Sequence, residues 1–257
     1  DHVKKYASSS QIEKFKKHNL FGIEQESYVA ALAIVNMIFR GDGKNNIVEA
    51  NCFSKFLKAA TTPEGHPTAR YTTAPPPLDD APVTRVLMNP PFALKESDEK
   101  EYRFVEAALK SMAHGGLLFA IVPMSVMCEG GKDGLWRRDT LLAHHTLLAV
   151  VSMPEELFYP ISNQTVAVVV RKGVPHAKGQ RVLWGRIVND GFQKSKGRRL
   201  PAPASMSNDV EAIKPILRGF LLNPSDPITD RPEVVRCAPI DFADPILELV
   251  PEAYVKS

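Results

Sequence analysis

Two apolar, largely β-branched runs, Leu147 to Met153 and Gln164 to Arg171, are separated by only ten residues, Pro154 to Asn163, rich in turn formers. A parallel connection needs a crossover of a dozen or more residues, usually a helix, whereas a short turn can join two antiparallel strands. This pair is therefore read as an antiparallel hairpin. The chain before it obeys a different rule. A polar helix from Ser8 to Lys17 leads into a short buried strand, Leu20 to Glu24, that ends on an acidic residue. A helix from Ser27 to Arg40 comes next, with Val29, Leu32, Ala33, Asn36 and Met37 at helical spacing. Strands at Asn46 to Ala50 and Thr84 to Met88, a helix from Lys100 to Met112, a turn at His114-Gly115-Gly116, a strand from Leu117 to Val122 and a helix from Leu135 to His144 complete the pattern. Such alternation is the signature of a mostly parallel sheet wrapped by helices. The expected fold is α/β, a mostly parallel sheet with a terminal antiparallel hairpin.

A chain of 257 residues, 44% of them hydrophobic, can bury one substantial core and at most a small appendage. Two stretches read as exposed loops: Thr61 to Pro82, with six prolines, and Glu129 to Gly134. Residues 1–190 form the expected catalytic domain. Residues 191–257, basic at first and proline-rich later, form an extension expected to pack on that domain or on a partner subunit.

The apolar runs are far shorter than the roughly 20 residues that span a bilayer, and the start, Asp1-His2-Val3-Lys4-Lys5, has no secretory pattern. A cytoplasmic location and no membrane partner are the expectation. Cys52, Cys128 and Cys237 lie far apart and form no CxxC pair, so neither a metal site nor a disulfide framework is expected. A net charge of only +3 means that any nucleic-acid binding must rely on local basic clusters.

The most informative residues are Asn89-Pro90-Pro91-Phe92, directly after a strand, where an open parallel sheet gathers its ligands. An adenine N6 amino group is a poor nucleophile, because its lone pair is shared with the ring. The Asn side-chain carbonyl and the backbone carbonyl of the next Pro are both acceptors, so they can hold the two N–H groups while the lone pair points at a sulfonium methyl. The second Pro stiffens the turn. An aromatic fourth residue can stack on the base, which must first be flipped out of the duplex. The alternative is an ordinary strand-ending turn with a buried Phe.

Asn89-Pro90-Pro91-Phe92 resembles motif IV of the amino-methyltransferases, and its surroundings are similar to the modification subunit of type I restriction enzymes, a family of adenine N6 DNA methyltransferases. Phe21-Gly22-Ile23-Glu24-Gln25 resembles the family's second motif, which implies that Glu24 holds the ribose hydroxyls of the cofactor. His114 to Pro123 resembles its fifth-strand segment. Leu157-Phe158-Tyr159-Pro160 with Gln164 to Val169 resembles the segment whose aromatic residue packs on the flipped adenine. Phe158 is the first choice there and Tyr159 the second. Asn189-Asp190-Gly191-Phe192 with Lys196-Gly197-Arg198-Arg199 is similar to the family's post-sheet signature. Lys196, Arg198 and Arg199 thereby become candidates for DNA phosphates.

The resemblance implies S-adenosylmethionine as cofactor, Asn89, Pro90, Pro91 and Phe92 as the catalytic motif, and Phe92, Phe158 and Tyr159 for stacking. Glu24, Asn51 and Asn89 are the implied cofactor-binding residues. Double-stranded DNA, a specificity subunit and a restriction subunit are the implied partners. Two departures stand beside it. The glycine-rich loop that should come after the first strand has no match, so the first strand and its loop are expected to be missing, leaving a gap between the strands ending at Glu24 and Met88. Where the family often has an acidic residue after its third strand, this chain has Asn51. Two other readings stay open: a non-catalytic DNA- or subunit-binding fragment, and a methyltransferase acting on another amino or amide nitrogen.

Overall fold

The computed structural model describes residues 7–41, 46–92, 100–158, 163–195, 197–228, 231 and 233–255. They form two compact units, residues 1–84 with 106–113 and residues 85–105 with 114–257.

In the first unit, helix α1 (Ser9–Asn19) starts at a capping box: the Ser8 hydroxyl accepts from the Gln11 amide, and the Gln11 side chain accepts from the Ser8 amide. Lys16, Lys17 and His18 fill its last turn, where the helix dipole favours cations. Strands β1 (Gly22–Glu24) and β2 (Ile47–Glu49) pair in parallel, with Glu24 opposite Glu49, and helix α2 (Ser27–Phe39) crosses between them. The stretch expected to be a loop holds much of a second hairpin, β3 (Phe56–Thr61) with β4 (Pro67–Thr72). Its prolines hide it from the sequence pattern. Pro67 opens β4, and β4 pairs only with β3, so a missing amide at its first residue is tolerated. Tyr71 on β4 braces the parallel pair, its hydroxyl lying 2.8 Å from the Gly22 carbonyl and 2.7 Å from that of Asn46. Burial pushes the Tyr71 phenol up to about 12.

The second unit is built on a six-stranded sheet in the order β12-β9-β7-β8-β6-β5. Its strands are β5 (Val83–Met88), β6 (Met112–Pro123), β7 (Thr146–Ser152), β8 (Thr165–Arg171), β9 (Arg181–Arg186) and β12 (Val235–Pro239), with β10 and β11 lying outside it. The expected hairpin is β7 with β8, and β8 lies between β6 and β7, antiparallel to both. β9 runs parallel to β7, and β12 antiparallel to β9. β6, β7 and β9 therefore share one direction. The turn expected at His114-Gly115-Gly116 falls inside β6, where Gly115 takes a φ of +76° without ending the strand.

β7 is buried along its whole length, as a strand covered on both faces must be. Leu148, Val151, Val169 and Leu183 form the core with Ile213 and Phe220 of helix α6 (Asp209–Leu222). Helix α3 (Glu101–Lys110) connects β5 to β6, and α4 (Met124–Cys128) leaves the end of β6. The second expected loop, Glu129 to Gly134, is instead partly helical: α5 (Gly131–Trp136) begins within it and runs into a π-helical stretch, Arg137–Leu142. Residues 240–255 lie against this unit. Tyr254 stacks on Trp184 with ring centroids 3.8 Å apart, and Arg137 donates to the carbonyls of Ile246 and Leu247.

Among the described residues β1 and β2 form a two-stranded sheet, and β5 is a terminal strand of the six-stranded sheet. Among the described residues no helix is long and apolar enough to cross a membrane.

Candidate active site

β5 stops at Met88 because two prolines stand just beyond it. Neither Pro90 nor Pro91 has an amide to donate, and each Pro drives the residue before it towards extended backbone. The result is a stiff exit in which Pro90 is buried, Asn89 and Pro91 are exposed, and Phe92 is half-buried. The Asn89 side chain makes no hydrogen bond among the described residues, so its carbonyl and amide are both available.

Phe158 lies in the connection between β7 and β8. After β7 the chain turns, the Leu157 amide donating to Pro154 at 3.0 Å. The root of this loop is fixed: the Gln164 side chain donates to the Met153 carbonyl at 2.9 Å, and the Met153 amide donates to Thr165 at 3.0 Å. Phe92 and Phe158 meet with centroids 5.2 Å apart and planes at 81°, an edge-to-face contact between residues 66 positions apart in the chain. Tyr159, the second choice for stacking, lies outside the described residues.

In the other unit, Glu24 and Asn51 come together at the carboxyl ends of β1 and β2. The Ala50 amide donates to the Glu24 carbonyl at 2.9 Å, which places Asn51 one residue beyond. One Glu24 oxygen accepts the Glu26 amide at 2.9 Å and so caps α2, while the other makes no hydrogen bond among the described residues. The Glu24 side chain thus braces the entry to α2 with one oxygen. The Asn51 carbonyl accepts the Phe53 amide at 2.8 Å, leaving its NH2 group as a donor to a purine edge. A carboxylate acceptor on Glu24 and an amide donor on Asn51, both at the ends of parallel strands, are the group types that a ribose diol and a purine edge require.

The basic cluster is divided. Lys196 lies outside the described residues. Strands β10 (Phe192–Ser195) and β11 (Arg198–Pro201) make an antiparallel hairpin on which Arg198 is exposed. Arg199 is bound to Asp190 through two contacts of 2.7 Å and lies over the Phe192 ring at 5.6 Å. Gly191 makes the entry to this hairpin possible: its φ is +82°, and a Cβ there would come within 2.7 Å of the Asn208 side chain. Two supports carried no local sequence signal: Tyr71, because it sits in a proline-rich stretch, and Arg137, because its partners are set by the fold.

The fold is that of the S-adenosylmethionine-dependent methyltransferases. The crystal structure of the type I restriction enzyme EcoKI M protein superposes with a TM-score of 0.59 at 18% identity, covering 88% of this chain and 46% of that one. A structure described as showing complex assembly and conformational transition of the type I R-M system reaches 0.69 at 17% identity, over 100% of this chain and 51% of that one. The chain belongs to the N-6 DNA methylase family, whose model matches residues 2–202. It is 27% identical over 208 residues to the type II restriction enzyme and methyltransferase RM.BcgI of Heyndrickxia coagulans, covering 79% of this chain and 30% of that protein. It is 25% identical over 163 residues to the type I restriction enzyme EcoKI methylase subunit of Escherichia coli, covering 62% of this chain and 29% of that one. The chain thus spans about a third of the length of these curated relatives.

Proposed function

We propose that this chain carries the catalytic part of a DNA adenine N6-methyltransferase of a type I restriction-modification system. S-Adenosylmethionine, when bound, supplies an electrophilic methyl group. Asn89 Oδ1 and the Pro90 carbonyl accept the two N6 hydrogens, which turns the nitrogen lone pair out of conjugation and towards that methyl group. Phe92 and Phe158 stack on the flipped adenine, a contact of about 1–3 kcal/mol per base. Once N6 carried the methyl group, one N6 proton would leave to solvent, so no general base is needed. Glu24 holds the ribose hydroxyls and Asn51 the purine edge of the cofactor.

The observation that carries this reading is the meeting of Phe92 and Phe158 beside an uncommitted Asn89. Double-stranded DNA, a specificity subunit and a restriction subunit are the proposed partners, with Arg198 at the DNA backbone. Calorimetric titration with S-adenosylmethionine tests the cofactor half: wild type binds, and Glu24→Ala binds at least tenfold more weakly. Equal affinity of the two proteins would remove the cofactor site from Glu24.

A further inference from the structure

Phe92 and Phe158 stand closer than a base between them allows. Two rings sandwiching a flat base must lie parallel and about 7 Å apart, twice the roughly 3.4 Å spacing of stacked bases in DNA. Here the centroids are 5.2 Å apart and the planes cross at 81°. In this arrangement the edge of one ring covers a face of the other, so a base cannot stack on that face.

The turn bearing Phe158 is tied down from one side. Glu156, two residues earlier, places its carboxylate 3.7 Å from Lys194 Nζ on β10. β10 is itself held, paired residue by residue with β11 from Phe192↔Pro201 to Ser195↔Arg198 and closed at its base by the Asp190–Arg199 bridge. A second brace, the Ala202 amide donating to Gly191 at 2.8 Å, anchors the returning strand. Glu156 therefore leans on a fixed post.

We propose that Lys194 is a positioning residue: by holding Glu156 it keeps Phe158 against Phe92, and this ring contact competes with a base for the Phe92 subsite. The inference rests on reading Asn89 to Phe92 as the base site. An ion pair this exposed biases the closed arrangement by about two- to fivefold, and salt weakens it.

The test joins two readouts on the whole chain with labelled phenylalanine, the ring protons being assigned through Phe92→Leu and Phe158→Leu. In wild type the edge-on ring protons are displaced upfield by the facing ring. Lys194→Met and Glu156→Gln each reduce that displacement, and each binds a single-stranded adenine oligonucleotide two- to fivefold more tightly than wild type. A plain charge effect on oligonucleotide binding would drive the two variants in opposite directions, so a common direction belongs to the latch. Unchanged displacement and affinity in both variants would overturn the proposal. If the displacement falls but no protein binds the oligonucleotide, the base-site reading fails, and with it the claim that the ring contact excludes a base.

Discussion

The guanidinium of Arg137 donates through Nε to the carbonyl of Leu247 at 3.0 Å, joining positions 110 residues apart in the chain. The same side chain donates to Val126 at 2.6 Å and to Glu129 and Ile246 at 2.7 Å, and it is fully buried. Its planar fork gathers four carbonyls, from α4, from the residue just after it and from the C-terminal segment. Arg137→Met should leave these carbonyls buried without donors and cost about 3 kcal/mol or more. Arg137→Lys should recover only part of that, because a single ammonium cannot span the same four acceptors. Urea denaturation of the three proteins gives the ranking.

His145 gives stability a pH dependence at the opposite end of the sheet. Its Nδ1 accepts the Gly173 amide at 3.0 Å, and burial, with Lys172 and His144 nearby, pushes its pKa from 6.5 down to about 4. The unfolded chain binds the proton more readily than the folded one. Stability contributed by the neutral ring is thus complete above about 6.5 and is lost as pH falls towards about 4. His145→Gln should flatten the stability profile in that window, as thermal melts across it would reveal.

The two arginines of the β10–β11 hairpin should behave differently. Arg199 answers Asp190, so Arg199→Ala should destabilise the hairpin by about 2 kcal/mol and speed amide exchange from Phe192 to Leu200. Arg198 faces solvent. Arg198→Ala should leave exchange unchanged, weaken DNA binding and reduce the salt slope by about one unit.

Glu24 serves two ends, and one pair of variants separates them. Glu24→Gln keeps an acceptor for the Glu26 amide but loses the charged partner for a ribose diol. It should melt close to wild type while binding S-adenosylmethionine about tenfold more weakly. Glu24→Ala should lose both, at a further cost of about 1 kcal/mol for the missing cap.

The parts of the fold legible in the sequence were those governed by local spacing. The ten residues between the runs ending at Met153 and starting at Gln164 required the β7–β8 hairpin, and it is there. Asn89 to Phe92 was legible because two consecutive prolines after an apolar strand leave the chain few choices. β4 was hidden because its first residue is a proline and its neighbours are polar, although Thr68, Tyr71 and Thr72 suit a strand. α5 was hidden because Gly130, Gly131 and Gly134 read as a loop. What holds that segment is Arg137, reaching the Val126 and Glu129 carbonyls, a tertiary effect with no local pattern. The commitment of Arg199 to Asp190 likewise depends on the hairpin bringing them together.

The most direct test of the central claim is to incubate the protein with DNA and methyl-labelled S-adenosylmethionine, digest the DNA and separate its nucleosides. The account predicts label on N6-methyladenine, falling at least a hundredfold in Asn89→Ala, because the amine then loses an acceptor that is needed only as its lone pair turns towards the methyl group. Label on a cytosine, or undiminished adenine methylation by Asn89→Ala, would contradict it.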